Sequence, residues 1–207
     1  HLLRGDTARA AAHAEKALQK QRLQEAERDL QTAVEIYPRY AAAWFELGRI
    51  HQRLQRLEKA REAHGKALEA DRNYVNPYVE LARIAMMEEK WLEVADTTDR
   101  ALTLDPLDFP EAFLFNSVAN INLDRLDVAE RSARKAQRLD AAHRFPQTHL
   151  LLANILQRKQ DVTGAAEQLR NYLKFAPAAQ NAGQVRLWLQ DLERSGHPGG
   201  DQQTARK

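Results

Sequence analysis

The chain has no cysteine, which excludes a disulfide framework and any thiolate metal site. It has no apolar run near the roughly 18 residues needed to cross a bilayer, so membrane insertion is not expected. Glycine is sparse, with eight residues scattered or gathered in the tail, and no glycine-rich phosphate loop exists. Aromatics make up only 7%. Neither charge sign dominates, with 31 Lys and Arg against 29 Asp and Glu in 207 residues. That balance argues against a nucleic-acid binder, which needs a concentrated basic face. There is no G-x-S-x-G and no H-E-x-x-H, so no enzyme and no cofactor is expected. The chain opens on His1, and we expect it to be an excerpt of a longer protein.

What is abundant is a repeated pattern of small and apolar residues. From Ala41 to Asp71 the chain reads as two short amphipathic helices joined by a turn at Leu54–Arg56. Trp44, Leu47, Gly48 and Ile50 mark one inner face, and Ala60, Ala67 and Leu68 the other. Small residues at Gly48, Ala60 and Ala67 fall where two backbones come close. This unit recurs: Ala26, Ala60, Val94, Ala129 and Ala165 are spaced by 34, 34, 35 and 36 residues. Ala14, Gly48, Ala82, Ser117 and Ala153 keep the same steps. Trp44, Tyr78, Phe113 and His149 share one position, and Pro38, Pro106 and Pro177 close units after a second helix.

A 34-residue helix–turn–helix period with an aromatic, Leu-Gly, Ala and Pro at these offsets resembles the tetratricopeptide repeat (TPR). The resemblance covers roughly residues 7–177. It implies an all-α, right-handed superhelical solenoid of five helix pairs plus a C-terminal capping helix, eleven helices in all. The expected organisation is a linker over 1–6, repeats over 7–40, 41–74, 75–109, 110–145 and 146–177, a cap over 178–194 and a disordered tail over 195–207. Asp6 or Thr7 can cap the first helix. That helix, Thr7–Gln19, is alanine-rich and carries Ala10 and His13 where later units carry an aromatic and an apolar residue. Its partner is expected over Leu23–Tyr37. The 35- and 36-residue steps place insertions in loops around Leu107–Phe109 and Ala141–Phe145. The wording of the units also resembles bacterial envelope proteins in which a TPR array follows a carboxypeptidase-regulatory-like domain. That likeness implies an exported protein of the periplasm or envelope.

TPR proteins use the first helix of each pair to line a concave groove. Carried onto this chain, that implies Phe45, Arg49, Gln52 and Arg53 in repeat two and Asn76, Val79, Arg83, Met86 and Met87 in repeat three. Repeat four offers Leu114, Val118, Ile121 and Asn122, and repeat five offers Leu150, Asn154, Gln157 and Arg158. The set forms an apolar strip from Phe45 to Leu150 with Arg49 and Arg83 beside it, the mark of a peptide or partner-helix site. The Lys and Asn positions with which some TPR co-chaperones grip a C-terminal carboxylate are not matched in any register. The expected function is therefore a non-enzymatic interaction scaffold with a protein or peptide partner. The alternatives are a structural array packing on its own upstream domain or another copy, and, more remotely, single-stranded RNA binding. His51 and His64 occupy facing packing positions and lack the third ligand a metal site needs. His143 and His149 carry no metal pattern either. Glu88, Glu89 and Glu93 fit solvated helix faces.

Overall fold

The computed structural model describes residues 2–140 and 142–195, and for residues 2–18 the backbone alone. Ten helices and no strand occur among the described residues. They are α1 (Leu2–Ile36), α2 (Ala41–Arg53), α3 (Leu57–Ala70), α4 (Val75–Met87), α5 (Trp91–Leu104), α6 (Pro110–Asn122), α7 (Leu126–Leu139), α8 (Gln147–Arg158), α9 (Val162–Phe175) and α10 (Ala182–Ser195). The chain divides into two compact units between Ile84 and Ala85.

Four turns join the helices within repeats two to five, and all have one construction. Gln55, Glu89, Asp124 and Gln160 each adopt positive φ, between 55° and 65°. The next residue then donates its N–H to the carbonyl five residues back: Arg56 to His51, Lys90 to Ala85, Arg125 to Asn120 and Asp161 to Leu156, at 2.8–3.0 Å. This is the Schellman closure, which satisfies carbonyls the helix end leaves free. It recurs with the same 34-, 35- and 36-residue steps as the sequence pattern. None of the four residues is glycine, so each turn carries roughly 1–2 kcal/mol of left-handed strain. Packing of the flanking helices must offset that cost.

The first repeat lacks this turn, which corrects the expected helix pair and the count of eleven. The equivalent position is Gln21, and α1 runs through it unbroken. Gln21 Nε2 donates to Glu25 Oε1, one helical turn on, at 3.2 Å. The reason lies in the balance just described. Lys20, Gln21 and Arg22 are good helix formers. Ala10 and His13, standing where Trp44 and Leu47 stand later, provide too little apolar bulk to reward a strained turn. Helix α1 also includes Leu2–Asp6, expected to be a linker with a cap at Asp6 or Thr7. At the other end Ser195 closes α10, and the expected disordered tail beyond it lies outside the described residues.

The first unit is held by Val34, Ala43, Leu47 and Ala63, with Leu30, Ala33 and Trp44 packed against them. Ala60 and Ala67 of α3 are wholly buried, as the small-residue pattern requires. In the second unit, Ala85, Val94, Ala95 and Ala119 form one cluster, and Ala129, Ala133, Leu152 and Ile155 form another. The third cluster joins α8, α9 and α10 through Ala153, Leu156, Ala165, Leu169, Tyr172, Val185 and Leu192. The capping stripe of Val185, Trp188, Leu189 and Leu192 is therefore spent on repeat five. A polar tie runs between successive turns of this unit. Arg158 donates to Asp124 Oδ1 at 2.6 Å and to the Ile121 carbonyl at 3.1 Å, while Lys159 reaches Asp127 and Glu130 at 2.8 and 2.7 Å.

Gly48 sits in α2 directly against the His64 ring of α3. A Cβ added there would lie 2.5 Å from His64 Cε1 and within 2.8 Å of both ring nitrogens. His64 is wholly buried, so its ring cannot swing aside freely. Gly48→Ala gains roughly 1 kcal/mol of helix propensity but overpacks at a cost of roughly 1–3 kcal/mol. A net loss of about 1 kcal/mol is expected. Gly65, also helical, has nothing within 4 Å of an added Cβ. Gly65→Ala should therefore stabilise by about 1 kcal/mol. Urea unfolding of the two variants checks both signs, and equal effects would contradict the packing.

Candidate functional site

In the first unit the expected groove residues separate into two depths. Phe45 is 6% exposed and Val79 2%. Phe45 is enclosed by His64 and Tyr74, with ring centroids 5.5 and 5.3 Å away. These two side chains thus underlie the surface and do not line it, contrary to expectation. Above them the half-exposed polar side chains are linked. Gln52 Nε2 donates to Glu80 Oε2 at 2.9 Å, and Arg83 Nε donates to the same oxygen at 3.3 Å. Arg49 Nη1 pairs with Glu46 at 3.0 Å, its guanidinium 5.8 Å from the Phe45 ring. Glu80, which sequence reasoning did not single out, joins Gln52 to Arg83, while Arg49 turns to Glu46. A long polar side chain one turn before Arg83 was the available signal.

His64 lies beneath this surface. Its Nε2 is 3.5 Å from Gln52 Oε1, while its buried Nδ1 has no partner. Burial pushes its pKa down to about 4, with the Glu80 charge opposing and the Arg49 and His51 charges assisting. The ring is therefore neutral near pH 7. His51 is also buried and its pKa is lowered chiefly by burial, against the pull of Glu27, whose Oε1 is 3.7 Å from Nδ1. No group of three or more His, Cys, Asp or Glu arranged for a metal occurs among the described residues.

In the second unit Leu114 is 6% exposed and likewise belongs to the core, not the surface. Val118 and Ile121 of α6 and Leu150 of α8 are half-buried, and Asn154 and Asn122 are exposed. Helices α6 and α8 touch directly. Ile121 leans on the Ala129–Ala133–Leu152–Ile155 cluster. Leu150 packs against the α9–α10 cluster, and Trp188 Nε1 of α10 donates to Gln157 Oε1 at 2.8 Å. The cap thus engages Gln157, expected to face a ligand, and shares a hydrophobic cluster with Leu150. Met86 is half-buried beside Ala85 and Ala119, and Met87 is 62% exposed.

A buried polar network in this unit was not foreseen. Asn116 stands where Leu47 and Leu152 stand in their repeats. Its Nδ2 donates to Thr98 Oγ1 at 2.9 Å and Asp99 Oδ1 at 2.7 Å, while its Oδ1 accepts from Ser132 Oγ at 2.6 Å and Asn120 Nδ2 at 3.1 Å. Every hydrogen-bonding capacity of the Asn116 amide is used, so the group joins α5, α6 and α7 and offers nothing to a ligand. Further along, His149 Nδ1 lies between Gln168 Oε1 and Gln137 Nε2, at 2.9 and 3.0 Å. His143 and His149 both stack on Phe175.

Paired helices of this length, stepping by 34 to 36 residues and closed by a recurring Schellman turn, define an all-α repeat fold of the TPR solenoid class. Folds of this class generally serve as protein–protein interaction scaffolds. Residues 17–84 match the tetratricopeptide-repeat family model. Among solved structures, the chain is similar to PilF of Pseudomonas aeruginosa, at 19% identity over 86% of this chain and 80% of that one, with a TM-score of 0.71. It is also similar to YrrB, described as a TPR protein with an unusual peptide-binding site, at 18% identity over 80% and 86% of the two chains and a TM-score of 0.67. A third is a tetratricopeptide repeat protein from Parabacteroides merdae, at 17% identity over 87% and 70%, with a TM-score of 0.70. A sequence search of the curated proteins found no match.

Proposed function

We propose that the protein is a non-enzymatic scaffold that binds a peptide or partner helix on the exposed first-helix residues of its repeats. The observation that carries this reading is in the second unit. There Val118, Ile121 and Leu150 remain half-exposed on adjoining helices, next to the open amide of Asn154. An apolar strip rimmed by an amide suits one face of an amphipathic segment. In the first unit the surface over Phe45 and Val79 is polar, and Arg49, Gln52 and Arg83 would meet the polar part of a ligand. Arg49 and Glu46 are each nearly half exposed. Such a pair is worth roughly 0–1 kcal/mol, so a ligand carboxylate can compete for the guanidinium. The likeness to bacterial envelope proteins adds that the scaffold works in the periplasm or envelope beside an upstream domain.

Affinity capture from the native source, using wild type, Val118→Asp and Arg49→Glu, tests the reading. Val118→Asp should lose the partner at least tenfold with helical content unchanged. Arg49→Glu should weaken capture more at low salt than at high, because screening dulls the attraction there. Retention of the same partners by both variants, at wild-type levels, would remove this surface as the site.

A further inference from the structure

After Glu130 the only charged residues of α7 are basic. Arg131 and Arg138 are exposed and Lys135 is half-exposed, at i, i+4 and i+7, while Ala129, Ser132, Ala133 and Ala136 point into the unit. This stripe spans roughly 10 Å of helix. The acidic residues of the same helix are engaged by other cations. Glu130 binds Arg134 at 2.8 Å and Lys159 at 2.7 Å, and Asp127 binds Lys159 at 2.8 Å. Arg131 shares the charge of Asp127, at i−4, with Lys159, and Lys135 and Arg138 continue the basic face toward solvent. The stripe continues past the helix end. Asp140, 4% exposed, accepts the backbone N–H groups of Arg144 and Phe145 at 2.9 and 2.7 Å, folding the loop back. Arg144, whose side chain is 67% exposed, reaches Asp140 only at 3.8 Å. His143 stacks on Phe175 of α9, centroids 3.7 Å apart, which brings Lys174 of α9 to the same end.

Other second helices lack this imbalance. Helix α3 mixes Glu58, Glu62 and Glu69 with Lys59 and Lys66, and Lys66 is paired to Glu62 at 2.7 Å. Helix α5 carries Asp96 and Asp99 at the positions of Arg131 and Arg134. A chain of near-neutral total charge thus concentrates cations on one helix face.

We propose that this α7 face docks an acidic helical segment of a partner protein, separately from the first-helix surface described above. Carboxylates at i, i+4 and i+7 of such a segment match Arg131, Lys135 and Arg138 in spacing, and Arg144 and Lys174 extend the contact to its end. Charge complementarity of this kind fixes register and speeds encounter. A lipid surface fits less well, because no large exposed apolar side chain lies in α7 or its loop to enter the interface. Single-stranded nucleic acid fits less well too. His143 already covers the Phe175 ring, which withdraws that ring from base stacking.

The test is a fluorescence titration with a labelled alanine-rich helical peptide bearing Glu at i, i+4 and i+7. Its Gln analogue, phosphatidylserine vesicles and an RNA oligonucleotide serve as competing probes. The acidic peptide should bind best, weaken several-fold as salt passes the roughly 0.1–0.3 M range where the screening length falls below about 10 Å, and lose at least tenfold with R131E/K135E/R138E. Lys59→Glu with Arg72→Glu and, separately, Val118→Asp should leave it unchanged. Circular dichroism checks that the triple variant stays helical. The proposal is overturned by equal binding of the Gln analogue, by tighter binding of vesicles or RNA, or by undiminished peptide binding to a folded triple variant.

Discussion

Trp44→Ala should lower the stability of the first unit by about 3 kcal/mol, the low end of the range for removing a core tryptophan. The indole is only partly buried, which sets that low end. It packs on the cluster of Val34, Ala43, Leu47 and Ala63 and thereby ties α1 to α2 and α3. Its Nε1 donates to the Pro38 carbonyl at 2.8 Å, pinning the loop between α1 and α2. Lys66 Nζ stands 4.7 Å above the ring, a contact worth roughly 0.5–1 kcal/mol at an exposed site. Truncation removes all three together. In a linear array each repeat is stabilised mainly by its neighbours, so the loss should extend into α1 and not stay local. Thermal unfolding followed by circular dichroism should show a fall of several degrees. Trp44→Phe, which keeps the bulk and drops the donor, should fall between the two. A midpoint unchanged in Trp44→Ala would mean that the repeat register is wrong.

The second large effect is a loss of stability in mild acid, traced to His64. Its folded pKa is about 4 against an ordinary value of 6.5. The unfolded chain therefore takes up this proton as pH falls below 6.5, while the folded chain refuses it until about pH 4. Stability from this group is complete above pH 6.5 and is lost progressively down to pH 4, by about 3 kcal/mol. The lowered pKa of His51 acts in the same direction. Paired carboxylates titrate lower. Glu62 and Glu130, held down by Lys66 and Lys159, and Asp127, held down by Lys159, lose their contributions below their usual carboxylate range. The interval from pH 6.5 to about 5 thus isolates the histidines. Chemical unfolding at several pH values should show wild type weakening across that interval. His64→Leu, which keeps the slot beside Gly48 filled with apolar bulk, should show a much flatter profile. An identical slope in both proteins would show that His64 is not the titrating group.

The sequence by itself determined the repeat, its steps and the positions of nearly all the helices after α1. Those properties are local. Helix periodicity, small residues at backbone crossings and proline after the second helix each act within one unit, and five copies repeat the message. Gln55, Glu89, Asp124 and Gln160 could be located as turns by register alone, although none is a turn-forming glycine. Tertiary structure decided what register cannot encode. A turn at Gln21 needs packed neighbours to offset its strain, and an alanine-rich helix lacks the bulk to provide them. Phe45, Val79 and Leu114 occupy positions that the tetratricopeptide resemblance implies face a groove. Whether such a side chain is covered depends on what the adjoining helix brings, and here Phe45 meets His64 and Tyr74. The same holds at the C-terminal end, where Trp188 of α10 reaches back to Gln157. Asn116 replaces a leucine without disrupting the fold because Thr98, Asp99, Asn120 and Ser132 converge on its amide from three helices. The basic face of α7 needed both levels. Its Arg and Lys residues stand in the sequence, but only the folded chain brings Lys159 of the next repeat to share Asp127 and Glu130.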